Sequence, residues 1–139
     1  MRCNLKGLLK YWIPPIVFAG IIFFLSSRSS VEIGPEIPHI DKLYHMIIYF
    51  VFAILLWRAF HYASPPSLQK RAIWLALLFT IIFGMSDEWH QLFVAFRHAD
   101  IFDLIFDSLG ASMAVIGVCW WNCGQKTEES DPDPERFSI

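Results

Sequence analysis

Charge is what this chain has least of. Asp, Glu, Lys and Arg make up 17% of its 139 residues, against roughly 25% in ordinary soluble domains. With 55% of the residues hydrophobic and 17% aromatic, too few charges are present to cover a water-facing surface, and lipid is the solvent that fits. Basic residues are also short. The net charge is −2 and Lys and Arg are scattered, which gives no footing for a nucleic-acid partner. Cysteine is sparse, and Cys3, Cys119 and Cys123 show neither zinc-ligand spacing nor a C-x-x-C pair, so they imply no metal, cofactor or redox role. No internal repeat is visible, and one domain is the natural count at this length.

What is present is a set of four long apolar runs: Tyr11 to Leu25, Leu43 to Phe60, Ala72 to Phe93 and Ile101 to Trp121. Each is close to the ~20 residues that cross a hydrocarbon core as helix. The expectation is an all-α polytopic membrane protein, a bundle of four transmembrane helices. Residues 1–10 form a cytoplasmic N-terminal segment, 11–122 the membrane domain and 123–139 a disordered acidic cytoplasmic tail. The first run follows Arg2, Lys6 and Lys10 as a secretory signal would. It lacks a clean small-x-small cleavage site, however, and a retained span is expected, with Pro14 and Pro15 bending it or setting its first turn.

Orientation follows from the basic residues. An inside N-terminus puts Arg2, Lys6, Lys10, Arg58, Lys70, Arg71, Lys126 and Arg136 in the cytoplasm and Arg28, Lys42 and Arg97 outside. Tyr11, Trp12, Trp57, Trp74, Trp120 and Trp121 then form one inner belt. The expected location is the bacterial cytoplasmic membrane with both termini cytoplasmic.

Polar residues interrupt the runs at one end only. Asp41, His45 and Tyr49 recur at i, i+4 and i+8, so they share one face of the second helix. Gly84, Glu88 and Gln91 share a face of the third, as do Asp87 and Gln91. Asp103 and Asp107 share a face of the fourth, continued by Gly110, Ala114 and Gly117, a stripe of small residues that permits close helix approach in lipid. Asp100 is placed to cap that helix. Ionisable groups at membrane depth are costly unless paired or functional, so three helices are expected to turn these groups toward one another beneath the outer surface.

These residues carry a family resemblance. The run D-K-L-Y-H-M-I-I-Y at Asp41 to Tyr49 resembles the D-K-x-x-H-x-x-x-Y signature of the VanZ-like membrane proteins. The pattern G-x-x-x-E-x-x-Q-x-F at Gly84 to Phe93 resembles a second signature. Arg97, Asp103, Asp107 and Gly110-Ala111 are similar to a third, R…D-x-x-x-N-x-x-G-A. The L-S-S-R-S-S stretch at Leu25 to Ser30 is similar to the serine-rich exit of that family's first span. Two departures stand out: Asp107 occupies a position where Asn is common, and V-A-F-R lacks the Pro-Gly often found before the Arg. The resemblance implies a four-span protein related to one that confers low-level resistance to the glycopeptide teicoplanin.

Two roles stand open for most of the polar residues. Asp41 and Lys42 form either an interfacial charge pair or part of a ligand site. His45 serves in an interhelical hydrogen bond to Glu88 or Asp103, or in proton transfer. Tyr49 reads as a packing residue with a hydroxyl partner. Glu88 is either ion-paired with Lys42 or Arg97, or a carboxylate for acid/base work or ligand binding. Arg97 either clamps a phosphate or carboxylate or neutralises Asp103 and Asp107. His45, Glu88 and Asp103 are the catalytic candidates, and Asp41, Lys42, Tyr49, Gln91, Arg97 and Asp107 the binding candidates. His45, Glu88, Asp103 and Asp107 have donor atoms suited to a metal, but no compact ligand motif, so none is expected. His90 and His98 fall outside the cluster, and no nucleophile–His–acid spacing is recognisable. The expected ligand is a membrane lipid, a lipid-linked cell-wall precursor or a glycopeptide. Lys42 and Arg97 would meet its anion; Glu88, His45 and Asp103 would orient it or move protons. An intramembrane enzyme acting on a lipid headgroup and a structural membrane subunit are the alternatives, and nothing sets the oligomeric state.

Overall fold

The computed structural model describes residues 5–28, 40–95 and 100–129. These form five helices: α1 (Leu5–Ser26), α2 (Ile40–Ala63), α3 (Pro66–Gln69), α4 (Ala72–Gln91) and α5 (Ile101–Glu129). Among the described residues there is no strand. Four of the helices are long and apolar enough to cross a membrane, over 22, 24, 20 and 25 residues. At 1.5 Å per residue even the shortest reaches about 30 Å, the thickness of the hydrocarbon core.

The burial pattern is that of a protein dissolved in lipid. A small core of Ile22, Tyr49, Phe52, Leu56, Phe60, Ala72 and Ala76 joins α1, α2 and α4. A second cluster of Ala53, Ala111 and Ala114 joins α2 and α5. Much larger side chains, among them Ile16, Phe24, Trp74, Phe79, Ile105 and Ile116, stay exposed on the outer faces of all four spans. Water would penalise this arrangement, whereas a bilayer does not.

α2 is the hub, packing against α1, α4 and, most extensively, α5. Its contact with α5 depends on small residues. A Cβ built at Gly110 would collide with the backbone carbonyl oxygen of Met46 and sit 3.1 Å from the Phe50 nitrogen. The two backbones therefore touch, and Ala111 and Ala114 extend the seam. The expected small-residue stripe ends there, because a Cβ at Gly117 would meet nothing within 4 Å. Steric room at Gly117 therefore does not require a glycine.

Several boundaries differ from the sequence expectation. α1 begins at Leu5 and runs through Pro14 and Pro15 without ending. The carbonyls these prolines leave unbonded belong to Lys10 and Tyr11, in the second turn of α1. α2 gains residues at both ends, and α4 stops at Gln91, two residues early. α5 continues to Glu129, so residues 124–129, expected as tail, are helical. Their Gln, Lys and Glu residues are good helix formers, and Pro132 comes only later. Residues 130–139 lie outside the described residues.

At the end where the N-terminus of α1 meets the turn between α2 and α4, aromatics gather. Tyr11 stacks on Tyr62 at 5.2 Å, Trp12 meets Phe60 edge-on at 5.1 Å, and Arg58 lies over Tyr11 at 6.0 Å. Such a belt suits a membrane–water interface.

A polar cavity and ion-pair network at one end of the bundle

The other end holds the polar residues. The last turns of α1 and α4 and the first turns of α2 and α5 converge there, linked by side-chain bonds between residues 58 to 65 positions apart in sequence. α2 and α5 start at this end and run parallel. Lys42 faces Asp103, His45 faces Asp107, and Met46 faces Gly110. One turn along α2 thus pairs with one turn along α5, and the Gly110 contact sets how close the pairs come.

Asp100 organises the start of α5. Its Oδ1 accepts from the Phe102 amide at 2.9 Å, and its carbonyl accepts from the Asp103 amide at 2.9 Å, satisfying orphan donors of the first turn. Its other carboxylate oxygen accepts from Lys42 Nζ at 2.8 Å. The Lys42 ammonium, followed by the Phe102 amide, holds the Asp100 carboxyl below its ordinary range. Lys42 also donates to Asp103 Oδ1 at 3.0 Å and lies 3.6 Å from the exposed Asp41. Its side chain is only 13% exposed, and the ammonium is held among these three carboxylates.

His45 does not bond Glu88 or Asp103, the partners expected from sequence. Its Nδ1 pairs with Asp107 Oδ1 at 3.0 Å, because the parallel α2–α5 register places Asp107, one turn beyond Asp103, opposite it. Glu88 is likewise not ion-paired with Lys42. Its Oε2 accepts from the Asp100 backbone amide at 3.0 Å, tying the end of α4 to the start of α5, and its Oε1 is buried without a partner. Gln91 donates from Nε2 to Ser26 Oγ at 2.9 Å and to Asp87 Oδ2 at 3.3 Å, which fastens α1 to α4. Tyr49 is fully buried, its hydroxyl beside the Asp87 carboxyl without a well-formed hydrogen bond. Arg97 and His98 lie outside the described residues. His90 stands apart as expected, stacked on Phe23 and bonded to Ser27.

A cavity of about 210 Å³ lies between α1, α2 and α4. Ile22, Leu25 and Ile48 give it an apolar wall, and Ser26, Asp41, His45, Tyr49, Asp87 and Gln91 a polar lining. Of the binding candidates, Asp41, Tyr49 and Gln91 line it, while Lys42 and Asp107 lie outside its lining; of the catalytic candidates, His45 lines it and Glu88 and Asp103 do not. Asp87, Ser26 and Asp100 are the residues that the candidate roles left out. Asp87 had a sequence signal, since it lies one turn from Gln91, but Ser26 and Asp100 acquire their interhelical partners only in three dimensions.

Fold and site together define a four-span integral membrane protein with a buried ionic network and a small polar cavity at one end of the bundle. The profile of the VanZ/LLP1 family matches residues 8–122, and the chain belongs to that family. It is similar to an uncharacterized protein of Schizosaccharomyces pombe, C11E3.10, with 28% identity over 115 residues that cover 81% of this chain and 68% of the yeast protein. No solved structure matches it.

Proposed function

We propose that this protein binds the polar headgroup of an anionic membrane amphiphile in the cavity between α1, α2 and α4. The observation that carries this reading is the joining of an apolar wall to a polar lining at the ends of membrane-spanning helices, which is the profile of an amphiphile at headgroup depth. The volume, about 210 Å³, is below the ~300 Å³ of the smallest drug-sized pockets. It therefore takes the headgroup alone and leaves the acyl chains along exposed apolar side chains such as Phe23 and Phe24 of α1. Asp87, Tyr49 and Gln91 would accept from or donate to hydroxyl or amine groups of that headgroup. Of the ligands expected from the sequence, the yeast relative favours a membrane phospholipid over a precursor restricted to the bacterial wall. Tolerance to teicoplanin would then arise indirectly, through the envelope lipids.

Native mass spectrometry of the protein purified from membranes tests this reading. The expected result is one defined lipid class on the wild type, lost from Asp87→Asn and weakened in Arg97→Ala, the sequence-expected partner of the anion. A wild type with no preferred lipid, or the same lipid on every variant, overturns it.

A second reading has one observation in its favour. The Asp107 carboxylate holds the His45 ring on the cavity wall, as an orienting acid holds a general base. On that reading the protein cleaves or transfers the headgroup, and purified wild type turns over labelled lipid whereas His45→Gln does not.

The cavity is proposed to face the extracytoplasmic side, with both termini inside. Cys119 and Cys123, both exposed near the opposite end of α5, report on this. A membrane-impermeant maleimide is expected to label them only after the membrane is permeabilised. Labelling in intact cells would reverse the orientation.

A further inference from the structure

We propose that His45, Glu88 and Asp107 form a binding site for one divalent transition-metal ion, of the zinc or manganese kind, between α2, α4 and α5. The three residues come from three helices, and one ligand atom from each lies within 4.8 Å of the other two. Asp107 is 1% exposed and Glu88 7% exposed, and each has a carboxylate oxygen, Oδ2 and Oε1, buried with no hydrogen-bond donor. An unpaired buried carboxylate oxygen is costly, and a positive charge is what removes the cost.

Among the described residues, the side chains around these two oxygens do not supply that charge. Asp87, Glu88, Asp100, Asp103 and Asp107 join the network with the Lys42 ammonium and the His45 imidazole, and Lys42 is spent on Asp100 and Asp103. A divalent ion offsets the remaining excess of carboxylate. The donor set also selects the ion: an imidazole beside two carboxylates suits zinc, manganese, iron or cobalt, whereas calcium and magnesium prefer all-oxygen sites. Three protein ligands leave coordination positions open. His45 is shared between this cluster and the cavity wall, so an ion here stands next to the headgroup site. It would give the anionic headgroup the positive partner that Lys42 does not provide. This last step rests on the headgroup reading; the metal site itself does not. A bound ion also makes His45 a ligand, which excludes its use as a free base.

The test uses full-length protein in detergent, stripped with EDTA and titrated with Co²⁺, read by visible absorption and by elemental analysis. The expected result is one Co²⁺ per chain with ligand-field bands of an ordered site, displaced by Zn²⁺. The isosteric variants Glu88→Gln and Asp107→Asn should bind at least ~10-fold more weakly, and Ser86→Ala, exposed on α4 and bonded only within its own helix, as wild type does. Zn²⁺ should raise the melting temperature of wild type and not that of Glu88→Gln. A wild type that takes up no ion and shows no bands overturns the proposal whatever the variants do. Equal binding by wild type and both ligand variants overturns it as well; the network would then be balanced by protons. Lipid-free protein that still binds one Co²⁺ keeps the metal site and removes the headgroup, and protein that retains its lipid but binds no ion does the reverse.

Discussion

Gly110→Leu is expected to leave almost no folded protein. Even the first carbon of a side chain at this position would collide with the Met46 carbonyl, and the Phe50 nitrogen is 3.1 Å away. Both obstacles are backbone, so no rotamer change relieves them and α2 must move off α5. Overpacking that side chains can absorb costs about 1–3 kcal/mol. Here the displaced seam also carries the Lys42–Asp103 and His45–Asp107 pairs, so the cost should exceed that range. Fluorescence-detected size exclusion and thermal unfolding in detergent measure it. Gly117→Leu is the matched control: a Cβ there meets nothing, and its melting temperature should stay near wild type. A Gly110→Leu protein that melts with wild type would mean that α2 and α5 are not in backbone contact.

Lys42→Met should be the next most damaging change. It leaves Asp103, whose side chain is 12% exposed, and Asp100 without the ammonium that both now share. The stranded charge of Asp103 carries most of this loss, because its side chain is shielded whereas that of Asp100 is open to solvent. The double variant Lys42→Met/Asp103→Asn should therefore recover part of the loss, a coupling that a double-mutant cycle reads directly. Lipid retention per folded molecule should be unchanged in both, since the ammonium is already committed to carboxylates. Additive losses in stability would dissolve the ion-pair account. Loss of lipid without loss of stability would restore Lys42 as an anion grip.

The damage expected from these two changes shows how unevenly the site could be read from the chain. Asp41, His45 and Tyr49 at four-residue intervals place one helix face on the cavity side, and periodicity is enough to find them. The matching face of α4 is legible for the same reason, with Gly84, Asp87, Glu88 and Gln91 all buried. Pairing is different. Periodicity says which residues share a face but not which face lies opposite or at what height. Asp103 and Asp107 are equivalent along the sequence, yet one meets an ammonium and the other an imidazole. Glu88 does not pair with Lys42 and accepts a backbone amide, a partner that every residue except proline offers and that no side-chain pattern can mark. Ser26 and Asp100 looked like helix-end residues, and they also fasten α1 to α4 and α2 to α5.

The sequence by itself determined the solvent, the number of spans and the end of the bundle at which polar groups gather. Each of these follows from local hydrophobicity and the helical repeat, which neighbouring residues set among themselves. Only the tertiary structure decided the partners, because they depend on the height and distance at which α2 and α5 meet. That contact is set by a single hydrogen in place of a side chain at Gly110, and from it follow the lysine bound to two aspartates and the histidine held by Asp107.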